Sequence, residues 1–417
     1  MAEDLKKMYR TIMDDHFPPR MEVSFIAEDG NRSTLVYEKV SWVIEGVNKG
    51  LRYGENPGQE AAMFKLTNGN LVLGNVTTIQ PGRFLAAEME LLQSGKHPGK
   101  TNITDADNSL NILRYLADRP TCVIVKHNNP CGVARAESLC EAYVKADLAD
   151  RVAAFGGCIA LNRPVDKATA EEIVKRYAEV VVAPEFEEGV LAIFAKKKSL
   201  RVMRIQAIER LQEWAGQVFV EFKSLIDGGQ IVQTSFVPKS RRAQDLKLAE
   251  CESQGKVYKI KRAPTAKEYE DLIFGWLVEA GVTSNSVLYV KDQVTVGIGT
   301  GEQDRVGVAE IARDKAYRKL ADRYCFLETG KPFNELSDPK QRKLYEDRAA
   351  QEHGGLVGSA MISDAFFPFR DGVDVGLREG VTAVIQPGGS DRDFESIEAC
   401  NEHNATMVYT GQRSFKH

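Results

Sequence analysis

VIVKHNNPCGVA, residues 123–134, is the stretch on which the reading of this chain turns. A strand-like apolar run, TCVIV at 121–125, stops abruptly at Lys126 and His127 and gives way to Asn128, Asn129, Pro130 and Gly132. Ligands of α/β sheets collect at the ends of strands. A lysine beside a histidine sets a fixed cation next to a group that titrates near neutrality, a pair suited to proton transfer with charge stabilisation. On these residues alone a structural histidine fits as well. Working outward, ESLCEAYVKAD (137–147) reads as helix and VVVAP (180–184) as strand, and the alternation argues for the α/β class.

Upstream, STLVYEKVSWVIEG (33–46) is strand-like and leads into LRYGENPGQ (51–59). Residues 1–48 read as an N-terminal extension, 49–263 as a first lobe and 264–417 as a second. The stretch from Pro238 to Arg262 carries eight Lys or Arg against Asp245, Glu250 and Glu252, and reads as a solvated connector, with a basic patch as the alternative. After Pro264 a helix begins: Thr265 and Glu268 form a capping-box pattern, and Tyr269, Leu272, Ile273, Trp276 and Leu277 follow at helical spacing. Near the C-terminus VTAVIQ, the stripe of Phe394, Ile397 and Cys400, and TMVYT spell a βαβ unit.

The bulk composition narrows the function classes. With 55 basic and 59 acidic residues the net charge is -4, which gives no footprint for nucleic acid but leaves room for a local phosphate pocket. No run approaches the ~18 apolar residues of a membrane span and the first residues lack a signal-peptide pattern, so a cytoplasmic, membrane-free protein is expected. Seven cysteines with no Cys-x-x-Cys spacing read as reduced, buried thiols.

Other constellations have two readings each. Pro130-Cys131 echoes the zinc deaminases, but Ala134 stands where the second cysteine of P-C-x-x-C belongs and no His-x-Glu occurs, so no metal site is expected. GIGTGEQD (297–304) fails the G-x-G-x-x-G dinucleotide pattern from either glycine; it reads as a tight turn presenting Arg305 at a helix start, or as a plain structural turn. Phe366, Phe367, Pro368 and Phe369 with Asp371 suit a flat heteroaromatic ring bearing N–H donors, or else form a core aromatic cluster. Arg413 and Phe415 offer a phosphate clamp and a stacking face, or a frayed terminus.

Taken together, LRYGENPGQ, VKHNNPCGVA (125–134), AFGGCIALN (154–162), TSNSVLYVKDQVTVGIGTGEQDR (283–305), SDAFFPFRDGVD (363–374) and the terminal GQRSFKH resemble the formyltransferase domain of bifunctional purine-biosynthesis proteins. The motifs run in family order from residue 51 to the last residue. The resemblance implies two cytidine-deaminase-like three-layer α/β/α lobes without the zinc site. It implies formyl transfer from 10-formyltetrahydrofolate to 5-aminoimidazole-4-carboxamide ribonucleotide (AICAR), in a homodimer with a composite active site, and leaves a monovalent cation open. By motif, Lys126 and His127 match the catalytic pair and Asn285 a substrate-orienting asparagine. Arg52, Tyr53, Arg413 and Phe415 match nucleotide-binding positions, Arg305 a position lining the nucleotide and folate sites, and Phe366, Pro368 and Asp371 folate-side positions. Only some fifty residues precede LRYGENPGQ and they carry none of the cyclohydrolase motifs, so IMP cyclohydrolase activity is expected to be absent and to reside in a separate protein. A zinc-dependent deaminase and a non-catalytic nucleotide sensor are the readings from other classes.

Overall fold

The computed structural model describes residues 7–74, 76 and 83–417. Cα packing separates two compact units, each built from two chain segments: residues 1–110 with 158–237, and residues 111–157 with 238–417.

In the first unit the strands Cys158–Leu161, Val180–Ala183 and Arg201–Arg204 run parallel, and Glu90–Gln93 pairs antiparallel with the last. The helices Lys167–Val174 and Val190–Phe194 connect the parallel strands. Every residue of Val180–Ala183 is buried, as expected of a parallel strand written as one unbroken apolar run. An antiparallel meander of Arg20–Ile26, Arg32–Val40 and Met63–Gly69 precedes this sheet. The segment read as one strand over 33–46 breaks after Val40, and Trp42–Ile44 turns back onto Val47–Lys49 through Glu45 and Gly46, both at positive φ.

The second unit holds a mixed sheet in the order Lys247–Leu248, Thr406–Tyr409, Ala383–Gln386, Ala360–Ser363, Val287–Lys291, Val294–Gly299, Asn129–Arg135 and Thr121–Lys126. Its layers follow from alternation along the strands. A methyl group on Gly376, in the helix Arg370–Leu377, would strike Met361 and Tyr289; one on Gly275, in the helix Ala266–Glu279, would strike the next residues along, Ile362 and Val290. Neighbouring strand residues point to opposite faces, so helices cover both sides in the expected three-layer α/β/α arrangement. Thr265 and Glu268 form the reciprocal cap foreseen for the helix at 266, and burial extends past the expected stripe to Phe274, Gly275, Val278 and Glu279. The C-terminal βαβ unit is present, with Ala383–Gln386 and Thr406–Tyr409 parallel.

Two copies of one module stand in this unit. The hairpin Thr121–Lys126/Asn129–Arg135 is followed by the helix Leu139–Ala149, and the hairpin Val287–Lys291/Val294–Gly299 by the helix Arg305–Thr329. In each, a strand glycine lets the helix backbone press close: a Cβ on Gly132 would lie 1.9 Å from the Ala146 carbonyl oxygen, and one on Gly297 2.2 Å from that of Ala312. Gly299 meets Val308 in the same way. Gly297 and Gly299 therefore serve helix-on-sheet packing, while Gly301, at φ 70°, turns the chain.

The charged stretch 238–262 is more ordered than a solvated connector. Lys247–Leu248 adds an edge strand against Tyr409 and Val408, and Glu250–Ser253 forms a hairpin with Lys256–Lys259. Ala249 and Ile260 enter the core between its charged positions. Among the described residues no helix is long and apolar enough to cross a membrane.

Candidate functional site

His127 and Asn128 are the two loop residues of the first hairpin, whose last pair is Lys126 with Asn129. Both sit at left-handed φ, 55° and 61°, which a two-residue turn of the mirror-image type requires at both positions. The turn holds His127 exposed at the end of a buried strand. Lys126 donates to the Phe155 carbonyl at 2.8 Å. Asn129 looks the other way: its side-chain oxygen accepts from the Thr283 N–H at 2.9 Å and the Thr300 hydroxyl at 3.0 Å. The histidine turn is thus bonded to the loop that carries Asn285.

Asn285 follows a cis peptide bond from Ser284. Its amide nitrogen donates to the Gln303 carbonyl at 3.0 Å, and its oxygen accepts from Arg305 at 2.8 Å. Arg305 opens the helix Arg305–Thr329, capped by Asp304, but its guanidinium turns inward. It donates to the Ser286 carbonyl, the Ser363 hydroxyl and the buried Asp364 carboxylate. Glu279, fully buried, accepts from the Ser286 hydroxyl; burial pushes its carboxyl well up, with Asp364 adding to the shift and Ser286 and Arg305 opposing it.

The aromatic run divides. Phe367 is wholly buried and belongs to the core, so it is not part of the flat surface expected from the sequence, whereas Phe366 and Phe369 are 39% and 52% exposed. Pro368 is exposed too. Asp371, in the first turn of the helix Arg370–Leu377, is exposed and accepts the Gly372 N–H. In the tail, the Arg413 guanidinium lies 4.1 Å from the centre of the Phe415 ring. The Lys416 carbonyl accepts the Ser284 N–H at 3.0 Å, the Lys416 N–H donates to the Ser284 hydroxyl at 3.2 Å, and its ammonium donates to the Asn128 carbonyl at 3.0 Å.

Arg52 and Tyr53 belong to the first unit. They line a cavity of about 380 Å³ with Arg10, Lys96, Glu179 and Arg201. Arg52 is buried, donates to the Tyr9 and Lys96 carbonyls at 3.1 Å each, and has its guanidinium carbon 4.5 Å from the centre of the Tyr53 ring. Arg201, with no exposed surface, donates to the His97 carbonyl and to Glu179. Burial, and then the charge of Arg52, lower its pKa. Four cations against one carboxylate make this a pocket for an anion. Arg10, Lys96 and Arg201 were not singled out in the sequence; the one local signal was an arginine opening the otherwise buried strand Arg201–Arg204. Among the described residues no group of three or more His, Cys, Asp or Glu side chains is placed to hold a metal ion.

Hairpin turns, helices packed closely on strand glycines and a cavity lined by Arg10, Arg52, Lys96 and Arg201 mark a mixed α/β protein with a cationic pocket. The particular family comes from comparison: residues 24–315 match the AICARFT/IMPCHase bienzyme family, and the chain belongs to that family. It is 37% identical over 374 residues to the bifunctional purine biosynthesis protein PurH of Caldicellulosiruptor saccharolyticus, covering 90% of this chain and 60% of that protein. Against the proteins of the same name from Cereibacter sphaeroides and Rhizobium rhizogenes it is 40% and 42% identical, over 88% and 90% of this chain and 59% and 60% of theirs. The chain therefore spans about 60% of the length of the relatives it matches.

Proposed function

We propose that these 417 residues catalyse transfer of the formyl group from 10-formyltetrahydrofolate to the 5-amino group of AICAR, giving the formylated nucleotide and tetrahydrofolate. The observation that carries this reading is the Lys126–His127 pair on a left-handed hairpin turn, with the turn's next residue bonded to the Asn285 loop. The attacking amine is delocalised into its ring and carboxamide and is a poor nucleophile, so it needs a base and a fixed geometry. His127 accepts the amine proton as nitrogen bonds to the formyl carbon. Lys126 stabilises the oxyanion and supplies a proton to the departing folate nitrogen, so that the carbon–nitrogen bond to the donor breaks as its electron pair is taken up. Asn285 orients the carboxamide, exchanging its contact with Arg305 for one with substrate.

The phosphate is assigned to Arg52, with Tyr53 against the nucleotide and Arg413 and Phe415 as clamp and stacking face. Arg305, tied to Asp364 and Asn285, holds that loop at the border of the nucleotide and folate sites. Phe366, Pro368 and Asp371 take the pterin, whose N–H donors suit the exposed carboxylate. The lobes 49–263 and 264–417, the extension 1–48, a homodimer with a composite site, and a cytoplasmic setting are part of the same proposal.

The test is a purified-protein assay with AICAR and the folate donor. His127→Ala should slow the chemical step by a factor on the order of a hundred or more while AICAR still binds. Near-normal turnover in that variant would remove His127 from the mechanism. A zinc-dependent deaminase would instead release ammonia and contain stoichiometric metal, and a sensor would bind AICAR without turnover.

A further inference from the structure

The cavity beside His127 is also lined by two lysines to which the proposed reaction gives no role. Its volume is about 370 Å³, and its lining includes Lys126 and His127 together with Lys315 and Lys319, one helical turn apart on the helix Arg305–Thr329. Asp150 supplies the carboxylate among them. One of its oxygens accepts both the Ala153 N–H at 2.9 Å, capping the short helix Arg151–Ala154, and the Lys319 ammonium at 2.7 Å. Lys126 has its bond to Phe155. Lys315 forms no hydrogen bond or ion pair among the described residues. Three ammonium groups thus face one carboxylate already engaged twice.

Burial lowers the pKa of Lys315; Asp150 and Cys131 oppose the shift, while Lys319 and Arg318 add to it. A half-buried ammonium that no carboxylate bonds directly is costly, and an anion entering the cavity would relieve it. We propose that this cavity binds a small dianion, of the phosphate or dicarboxylate class, cradled by Lys315 and Lys319 with Lys126 at its side. The site is distinct from the Arg52 cavity of the first unit and does not depend on the formyl-transfer reading.

Acylation of a lysine requires the neutral amine, and a bound anion both shields that amine and holds it protonated. Trace labelling of the intact protein with acetic anhydride at about pH 8, followed by peptide mass spectrometry, reads the reactivity of Lys315 directly. Inorganic phosphate in one arm and succinate in another, each with chloride-matched ionic strength, should slow labelling of Lys315 by about threefold or more. Exposed Lys343 serves as the internal reference and should not change. The same protection is expected in Arg52→Ala, and protection in only one arm assigns the anion class. Failure of both anions to protect Lys315, or loss of protection in Arg52→Ala, would overturn the site.

Discussion

His97 shows how one side chain ties the first unit to pH. It is 3% exposed, its Nε2 lies 2.7 Å from the Gly50 carbonyl, and its ring meets Trp42 edge-on. Burial lowers its pKa; the Gly50 carbonyl opposes this, and Arg52, Arg201 and Lys49 reinforce it. With the folded value below the unfolded one, the unfolded chain takes up the proton first on acidification. Stability from this site is therefore intact above about pH 6.5 and falls as pH drops below it. Urea midpoints of wild type should decline through that interval, and His97→Gln should flatten the decline. An equal slope in both would mean that other groups carry the acid sensitivity. Nothing in the string Lys96-His97-Pro98 announced this role, which depends on segments near residues 42, 50 and 201 converging.

The C-terminal tail acts as a clamp. Lys416 bonds Ser284 through its backbone and Asn128 through its ammonium, so the tail joins the histidine turn to the Asn285 loop. Lys416→Met should lower kcat on the order of tenfold through misplacement of His127, with little change in the KM for AICAR or in melting temperature. Lys416→Arg, which keeps a cation within reach of the Asn128 carbonyl, should recover most of the loss. A fall in melting temperature matching the loss of activity would make the tail a general brace instead. The strand that ends at Lys126 and the capped helix at 266 were legible because their signals are local: a strand stopped by polar residues, a Thr-x-x-Glu cap, a 3.6-residue stripe. The split of Phe366 and Phe369 from Phe367, and the order within 238–262, were not. Both depend on which strand or helix arrives opposite, and Ala249 and Ile260 lie hidden among charges.

For the chain as a whole, the decisive question is what the 417 residues accomplish unaided. Formyl transfer to a delocalised amine gains little free energy, whereas ring closure creates an aromatic purine and consumes the product. We expect the purified polypeptide to reach an early plateau with AICAR and the folate donor, to run readily in reverse, and to proceed once a cyclohydrolase is added. Formation of IMP at a rate proportional to this polypeptide alone would place ring closure within these residues. The matched relatives are longer and bifunctional by name, which makes this assay the one that separates the two activities.

The left-handed pair at the tip of the first hairpin has a further consequence. Turns of this kind favour Asn followed by Gly, and a side chain such as imidazole in that conformation costs roughly 1 kcal/mol. In the sister module the corresponding residues are Asp292 and Gln293, also at positive φ. A library randomised at position 127 and screened only for heat tolerance should drift toward Asn or Gly, and its sturdiest members should be its least active. Thermal robustness and turnover would then be opposed at one residue, a trade-off that a screen for either property alone would miss.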